Sequence, residues 1–318
     1  MFELNNDPRP VKPIYVTALS GSLRRRHLVF IVAAVGICMV LQACSSATTT
    51  TGSSATPTTV ASSSSSSSSF ASASASTVAS AAAPVEWSYS GETGPDHWGE
   101  MVPTCQSGAS SSQSPINIDP ASLVPESPPT AGIVTLNYLP TLFEVENTGH
   151  TIEAVPDDLH ANSITIDGKT YYLQQFHLHT PSEHTISKQS FPMELHLVNK
   201  SDDGTTAVLG VPLASGAENA ALAELFTKMP ATETDEQSMV PLDGKIDPTD
   251  VIPPGSAIAQ YSGSLTTPPC TEPVIWSVFL TPSTVSADQV ANLQKIFPDN
   301  HRPTQPLNDR VINDVQEG

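Results

Sequence analysis

The sequence predicts a single β-dominated α+β domain over residues 85–318, with short helices at its periphery. Three observations support this fold class. Short runs of alternating or continuous apolar residues recur between turn residues from Val85 onward, without an internal repeat. Helical signals are fewer in that region, and two segments give the best of them. The first 84 residues offer nothing that could build a second core, and about 230 residues suffice for one.

Seven runs have the apolar pattern of β-strands. They are residues 133–138, 142–146, 163–166, 171–179, 193–198, 206–213 and 274–280. Asp167-Gly168 lies between two of these runs and is a typical hairpin turn. The helical patterns cover residues 218–228 and 286–296, and Ser286 is well placed to cap the second helix.

Residues 1–43 have the pattern of a lipoprotein signal peptide. Three arginines at positions 24–26 precede an apolar run over residues 28–41, which is short for a membrane-spanning helix. The run leads into Leu-Gln-Ala-Cys at 41–44, which resembles a bacterial lipobox and predicts lipidation of Cys44. An uncleaved signal anchor is the alternative. We expect an exported protein, lipid-anchored to a bacterial membrane and facing the periplasm or the cell exterior, by either Sec or Tat export.

Residues 44–84 are predicted to form a flexible linker that begins at the lipid-bearing residue. Positions 45–84 contain 16 Ser, 8 Thr and 10 Ala, and no charged residue. Such a composition cannot bury a core, so the segment behaves as a tether. A flexible chain of this length spans about 35 Å on average, which lifts the following domain clear of a membrane surface.

The predicted domain is strongly acidic. From Val85 onward there are 30 acidic and 8 basic residues, which gives a net charge of −22 with neutral histidines. A surface of this charge repels the phosphates of nucleic acids and anionic lipid headgroups. We therefore expect no nucleic-acid partner, and membrane attachment only through the N-terminal lipid.

The four cysteines divide into two groups. Cys38 lies inside the apolar run of the signal peptide, and Cys44 is the predicted lipidation site. Cys105 and Cys270 remain as one pair in an oxidising compartment, and we predict a disulfide between them. Two free buried thiols are the alternative.

Three histidines lie on matching faces of two predicted strands. Gln175, His177 and His179 alternate with apolar residues, so their side chains share one face of a strand. Glu194 and His196 alternate in the same way on the next predicted strand. If the two strands pair as antiparallel neighbours, the three imidazoles converge.

Three histidines with an open fourth position are typical of a catalytic zinc site, whereas structural zinc sites are closed by four ligands that are mostly Cys. The pattern therefore predicts Zn²⁺ bound by His177, His179 and His196. Gln175 and Glu194 share their faces and are expected to accept hydrogen bonds from the ligand imidazoles. Metal-free histidines of the core or the surface are the alternative.

The histidine segments at residues 175–186 and 193–197 resemble the signature of the alpha-class carbonic anhydrases. Further matching segments are Trp87-x-Tyr89, Gly94-Pro95-x-x-Trp98, residues 113–118, 147–150 and 264–270, Trp276, and Arg302-Pro303-x-Gln305-Pro306-Leu307. The resemblance implies a large twisted, mostly antiparallel central sheet. It also implies zinc-dependent reversible hydration of carbon dioxide to bicarbonate and a proton, through zinc-bound hydroxide, and inhibition by sulfonamides.

The same resemblance implies the roles of further residues. Thr266 and Glu183 match the pair that orients the hydroxide: an ionised Glu183 can only accept a hydrogen bond, so the Thr266 hydroxyl donates to it. The residues that match the substrate-binding wall are Val198, Val208, Leu265, Thr266, Thr267 and Trp276. Without the resemblance, ordinary core packing would be the default interpretation of its apolar members.

His150 matches the proton shuttle of the family, and Tyr89 matches another residue of its catalytic set. A histidine with a pKa near 6.5 can carry a proton from the site to buffer, and an exposed loop histidine is the alternative. Thr148 and Glu153 stand where amides are frequent, so the proton route departs from the common pattern. His184 matches a buried structural residue, and we predict that it is not a zinc ligand.

Two other functions remain open from the sequence. His177-x-His179-x-x-x-Glu183 also fits the first motif of a cupin-type metal enzyme, but Tyr171 stands where that motif has glycine and no second motif follows. The other is a zinc-less binding or adhesion protein on the same scaffold. Such relatives lose ligand histidines, whereas all three are present in this chain.

Overall fold

The computed structural model describes residues 85–128, 131–235 and 237–318. The predicted signal peptide, the linker and the lipidation site at Cys44 therefore lie outside the described residues. Within the described ranges, no helix has both the length and the apolar character needed to cross a membrane.

Strands dominate the described part of the chain. They are β1 Asn117–Ile118, β2 Val124–Pro125, β3 Val134–Asn137, β4 Phe143–Asn147, β5 Ile152–Pro156, β6 Ser163–Ile166, β7 Lys169–His179, β8 Thr185–Ile186, β9 Met193–Lys200, β10 Thr206–Ser215, β11 Val240–Pro241, β12 Ile258–Gly263, β13 Val274–Phe279, β14 Ser283–Val285 and β15 Asn313–Val315.

The helices are few and short. The α-helices are α1 Trp98–Met101, α2 Ala223–Lys228 and α3 Ala287–Gln294. The 3-10 helices are Gly91–Thr93, Pro95–His97, Pro103–Cys105, Pro120–Ser122, Ala220–Leu222 and Pro248–Val251.

Thirteen of the strands form one central sheet. Its main path runs β11-β4-β5-β7-β9-β10-β13-β12-β15-β2, with β6 joining β3 to β7 and β14 pairing with β10. The pairs β10–β13, β10–β14 and β15–β2 are parallel, and the other described pairs of this sheet are antiparallel. The predicted fold class, a β-dominated domain on a large twisted and mostly antiparallel sheet with short peripheral helices, is confirmed.

Local sequence signals explain several element ends. β6 and β7 form the predicted hairpin, in which Asp167 and Gly168 both have positive φ, at 51° and 76°. Ser286 caps α3 in a reciprocal capping box: its hydroxyl accepts from the Gln289 N–H, and the Gln289 side chain accepts from the Ser286 N–H. The helix predicted over residues 218–228 is shorter than expected, because its first turn is the 3-10 helix Ala220–Leu222.

The sequence patterns missed two central strands, β5 and β12. In β12, Gln260 is buried where an apolar residue would have indicated a strand. Its amide donates to the Gly132 carbonyl and to the Ser277 hydroxyl, so tertiary partners satisfy it inside the sheet. A polar side chain of this kind hides the apolar pattern on which strand prediction depends.

The two faces of the sheet have different packing. Phe176 and Leu178 of β7 and Leu195 and Leu197 of β9 belong to the main hydrophobic core. The alternate residues of both strands lie on the opposite face, where a smaller apolar cluster contains Val208 and Trp276. Strand alternation therefore separates the core face from the face that carries the histidines.

Cys105 and Cys270 form a disulfide with their Cα atoms 4.9 Å apart. Both residues are buried, beside Trp98 and against Trp87 and Tyr89. The bond joins the N-terminal part of the domain to the loop that follows Thr266, across 165 positions of sequence. Such a long closed loop restricts the unfolded chain strongly.

We predict that the double substitution Cys105→Ser with Cys270→Ser lowers the free energy of unfolding by about 2–5 kcal/mol, because the unfolded chain regains its loop entropy. Urea-induced unfolding measures the difference. The wild-type domain under reducing conditions is the control and should show the same loss. A double variant within about 1 kcal/mol of the oxidised wild type would contradict this prediction.

Candidate active site

The pairing of β7 with β9 brings the predicted histidines together. The two strands are antiparallel, and His177 lies directly opposite His196 in register. His179 lies opposite Glu194, and Gln175 lies opposite Val198. A bulge between Leu173 and Gln175 precedes this region, so the pairing from Gln175 onward is regular.

The three imidazoles surround one point. Their ring centroids are 5.0 Å apart for His177 and His179, 5.2 Å for His177 and His196, and 4.7 Å for His179 and His196. One ring nitrogen from each of the three residues lies within 4.8 Å of the other two. Three nitrogen donors at this separation can hold a metal ion with an open position, and the absence of sulfur from the set is typical of a catalytic site.

Hydrogen bonds determine which nitrogen of His177 and His179 is available. His177 Nδ1 lies 2.8 Å from Gln175 Oε1, and His179 Nδ1 lies 2.7 Å from the Asn300 carbonyl oxygen. Both partners are acceptors, so each Nδ1 carries the proton and each Nε2 keeps its lone pair. His179 Nε2 is buried without a hydrogen-bond partner, as expected of an atom that a metal would satisfy.

His196 is oriented the other way round. Its Nε2 lies 3.0 Å from Glu194 Oε1, in an ion-pair contact that is not aligned as a regular hydrogen bond. An acceptor-only carboxylate at that distance favours a proton on Nε2. Nδ1 is then the nitrogen available to a metal, so the donor set is Nε2 of His177, Nε2 of His179 and Nδ1 of His196.

Burial keeps the three imidazoles neutral. It lowers the pKa of His177 well below its ordinary value, and the neighbouring His179 and His196 lower it further. Burial also lowers the pKa of His179 to about 4 and lowers that of His196, which Glu194 partly offsets. Neutral imidazole is the form that binds a metal, so protons do not compete for the site near neutral pH.

Glu194 is the buried carboxylate beside the three histidines, and it accepts hydrogen bonds from the neighbouring loop. Its Oε2 accepts from the backbone N–H groups of Glu183 and His184, and its Oε1 accepts from His184 Nδ1 at 2.7 Å. Burial alone would raise the pKa of Glu194, but His184 and His196 beside it hold that pKa well below its usual range. A Cβ at Gly210 would lie 2.9 Å from Glu194 Oε1, so the neighbouring strand can approach only with glycine there.

Both ring nitrogens of His184 are engaged. Because Nδ1 donates to Glu194, Nε2 accepts from the Tyr261 hydroxyl at 2.7 Å. His184, Glu194 and His196 also lie close enough to form a second potential metal-binding group. With both nitrogens engaged, His184 has no free lone pair for a metal, and its structural role stays a prediction.

Glu183 and Thr266 lie beside the three imidazoles. Glu183 Oε1 accepts from the backbone N–H of Arg302 at 2.8 Å, and its Oε2 is 3.5 Å from His179 Nε2. Burial raises the pKa of Glu183, and His196, the Arg302 N–H and the Thr266 hydroxyl act against that shift. Oε2 itself has no regular hydrogen-bond partner, so the Thr266 hydroxyl approaches the carboxylate without a fully formed bond.

A cavity of about 250 Å³ opens over these groups. Its lining residues are Gln175, His177, His196, Val198, Val208, Leu265, Thr266, Thr267 and Trp276. The structure therefore brings the predicted substrate-binding residues together around one cavity, with two of the three imidazoles in the same lining. The wall suits a small apolar molecule.

His150 lies on the loop after β4. Its imidazole stacks on the indole of Trp87, with ring centroids 3.7 Å apart and an angle of 11° between the planes. Burial lowers the pKa of His150, and the charge of Glu233 acts in the opposite direction. The sequence motif that contains Trp87 gives no sign of this stacking, which exists only in the folded chain.

Thr148 and Glu153, which stand where amides are frequent in the family, have different surroundings. The Thr148 hydroxyl is committed within its own turn, where it donates to the Thr151 carbonyl and accepts from the Thr151 N–H. Glu153 lies opposite His177 in register, and burial raises its pKa to about 7, with Glu146 contributing. Tyr89 is half-buried, its hydroxyl oxygen is buried without a partner, and burial raises its pKa.

Asn300 is the site residue that the sequence patterns missed. Its carbonyl oxygen fixes His179, its side-chain oxygen accepts from the Thr180 N–H, and its amide donates to the carbonyls of His150 and Leu178. A backbone acceptor supplied from a residue 121 positions away leaves no mark on the local pattern. Its position next to the Arg302-Pro303 motif was the only signal available.

Comparison with known protein families shows what this chain is similar to. A family model described as eukaryotic-type carbonic anhydrase matches residues 93–316. The chain belongs to the alpha-class carbonic anhydrase family. It is therefore an enzyme of the family that hydrates carbon dioxide reversibly, which confirms the resemblance drawn from the sequence and excludes the cupin alternative.

Individual relatives agree with this assignment. A carbonic anhydrase of Klebsiella pneumoniae is 41% identical over 230 residues, which cover 71% of this chain and 89% of the relative. The solved alpha-carbonic anhydrase of Thermovibrio ammonificans, in complex with the inhibitor sulfanilamide, is 38% identical with a TM-score of 0.66, and the match covers 72% of this chain and 99% of that one. That of Photobacterium profundum is also 38% identical, with a TM-score of 0.64 and coverages of 71% and 99%.

The lowered pKa of His179 predicts an acid-sensitive metal-free protein. The unfolded chain takes up the proton near pH 6.5 but the folded chain only near pH 4, so stability falls as the pH falls through that window. The loss from His179 amounts to at most about 3 kcal/mol. His179→Asn should flatten this part of the profile in urea titrations of metal-free protein at pH 7, 5.5 and 4.5. Parallel profiles for wild type and variant would contradict it.

Proposed function

We propose that this carbonic anhydrase is zinc-dependent, with His177, His179 and His196 holding the metal and His150 transferring protons to buffer. The observation that carries the proposal is the convergence of three neutral imidazole nitrogens under an apolar cavity. The donor set fits zinc, which is bound by three histidines in catalytic sites that keep one open position. When bound, zinc supplies Lewis-acid chemistry that makes hydroxide available at neutral pH, as is established for carbonic anhydrases.

The apolar wall would hold the carbon dioxide. Val198, Val208 and Trp276 offer close contact without strong hydrogen-bond donors, which suits a linear molecule without a net dipole. His177 and His196 line the same cavity, so a molecule against the wall lies next to the ligand nitrogens. Bicarbonate is charged and is poorly matched to the same wall, which favours its release.

Thr266 and Glu183 would orient the nucleophile. Burial raises the pKa of Glu183, but the Arg302 N–H and the Thr266 hydroxyl favour its ionised form. In that form its remaining oxygen can only accept, so the Thr266 hydroxyl proton turns toward it. The Thr266 oxygen is then an acceptor toward the cavity. A nucleophile that donates to it presents a lone pair to the substrate.

His150 would remove the proton of each turnover. Its lowered pKa leaves the ring neutral at pH 7, so it is free to accept. Stacking on Trp87 holds the ring at the edge of the site, from which buffer can take the proton.

The location of the enzyme is a further proposal. The signal pattern and Cys44 support a lipid-anchored, exported protein. Globomycin-sensitive processing, with mass spectrometry of the mature N-terminus, would test it.

Stopped-flow carbon dioxide hydration with a sulfonamide control tests the proposed function directly. The sulfanilamide complex of the Thermovibrio relative supports the expectation that a sulfonamide abolishes the activity. The rival zinc-less adhesion protein would contain no stoichiometric zinc by elemental analysis. A purified protein with one zinc per chain and no hydration activity would refute the enzymatic mechanism.

His177→Ala should lose both metal and activity, because it removes one of three nitrogen donors. We expect less than about 1% of wild-type kcat/KM, and zinc well below one equivalent by elemental analysis. His160→Ala is the matched control, since His160 is exposed and lies outside the site. Retention of zinc and activity by His177→Ala would sink the ligand assignment.

His150→Ala should lower kcat about 10-fold or more in weak buffer and leave kcat/KM nearly unchanged, because it removes proton transfer and not hydration. Added imidazole should restore the rate. His97→Ala, at an exposed histidine near the N-terminal end of the domain, should behave as wild type. An unchanged kcat in His150→Ala would remove the shuttle role.

A further inference from the structure

The loop that carries His150 is bound to a second segment of the chain. The Thr234 N–H donates to the Asn147 carbonyl at 2.9 Å, and the Asn147 N–H donates to the Thr234 hydroxyl oxygen at 2.9 Å. The Asn147 amide also donates to the Pro230 carbonyl at 3.0 Å. These three bonds hold the segment 230–235 against the end of β4.

This attachment places the carboxylate of Glu233 next to His150. A Cβ built on Gly149 would lie 3.3 Å from Glu233 Cδ and 3.4 Å from Oε2, so the carboxylate rests directly against Gly149. Gly149 has a φ of +81°, which favours glycine for a second reason. Glu233 is itself exposed, so its charge lies at the protein surface beside the loop that carries His150.

The other described elements around His150 include the carboxylate of Asp299, whose charge acts on Tyr89, whereas the charge of Glu233 acts on the His150 ring. Trp87 covers one face of the imidazole, and the Asn300 amide donates to the His150 carbonyl at 3.2 Å. Asp299, next to Asn300, pairs with His301 at 2.5 Å. Among the described residues, Glu233 is the charged group whose field acts on His150.

We propose that Glu233 determines which class of buffer takes the proton from His150, by favouring neutral amine bases over dianionic acceptors such as phosphate. The inference rests on the proposed shuttle role of His150 and adds a specificity-determining residue to it. In the transfer, the proton leaves the His150 imidazolium and goes either to imidazole, forming imidazolium, or to hydrogen phosphate, forming dihydrogen phosphate.

The physical reason is the sign of the charge at the exit. A dianion that approaches His150 comes within a Debye length, about 10 Å at 0.1 M salt, of the Glu233 carboxylate and is repelled. A neutral amine is not repelled, and the cation that it becomes is attracted. The same carboxylate favours the protonated form of His150, which counteracts burial of the ring.

Buffer-dependent stopped-flow kinetics of Glu233→Gln test the inference at constant pH and ionic strength. We expect the second-order rate constant for phosphate to rise about two- to fivefold while that for imidazole changes less than about 1.5-fold, with the change confined to kcat. Glu218→Gln, which removes an exposed carboxylate elsewhere, is the matched control and should leave the phosphate-to-imidazole ratio at its wild-type value. At 0.5 M salt the difference should shrink.

A second measurement does not depend on turnover. NMR titration should give a lower pKa for His150 in Glu233→Gln than in wild type, because the variant loses the charge that stabilises the imidazolium. An unchanged phosphate-to-imidazole ratio, or a His150 pKa that does not fall, would overturn the inference. His150→Ala separates the proposed shuttle from the role of Glu233. Wild-type turnover in His150→Ala refutes the shuttle itself. Lost turnover in His150→Ala, together with an unchanged phosphate-to-imidazole ratio in Glu233→Gln, refutes only the role of Glu233.

Discussion

The register between β7 and β9 is the constraint on which the site depends. It sets His177 directly opposite His196 and puts the apolar residues of both strands into the main core. A shift of one residue would turn the imidazoles into the core and leave Phe176 and Leu178 uncovered. The burial that holds the sheet together therefore also holds the three ligand nitrogens in place.

Buried charge is the cost of this arrangement, and the surrounding loops offset it. Glu194 is fully buried, and donors from Glu183 and His184 satisfy its oxygens. Arg302 is 2% exposed, and its guanidinium donates to the carbonyls of Ser114 and Cys105 while its backbone N–H holds Glu183. The donors to Glu194 come from a loop 10 or 11 positions before it, and the bonds of Arg302 span 119 positions or more. These loops cannot relax without leaving a buried charge unpaired.

The sequence by itself predicted most of the architecture. Strand alternation is a local property, so it was sufficient for the strands that contain His177 and His196, the Asp167-Gly168 hairpin and the Ser286 helix cap. It failed where a tertiary partner overrides the local pattern, as at Gln260 in β12. The sequence also predicted too long a helix before Lys228, because where a short helix begins depends on the contacts made by its first turn.

The sequence alone thus determined the fold class, the family and the convergence of the three histidines on one face, since these follow from periodicity and ordered motifs. Only the tertiary structure decided which ring nitrogens are free. A carbonyl of Asn300 reaches His179 from 121 positions away, and Glu194, on the same strand as His196, meets the Nε2 of that ring rather than its Nδ1. The tertiary structure also decided what surrounds His150. Trp87 and Glu233 are 63 residues before it and 83 residues after it in the sequence, and their contact with its loop exists only in the folded chain.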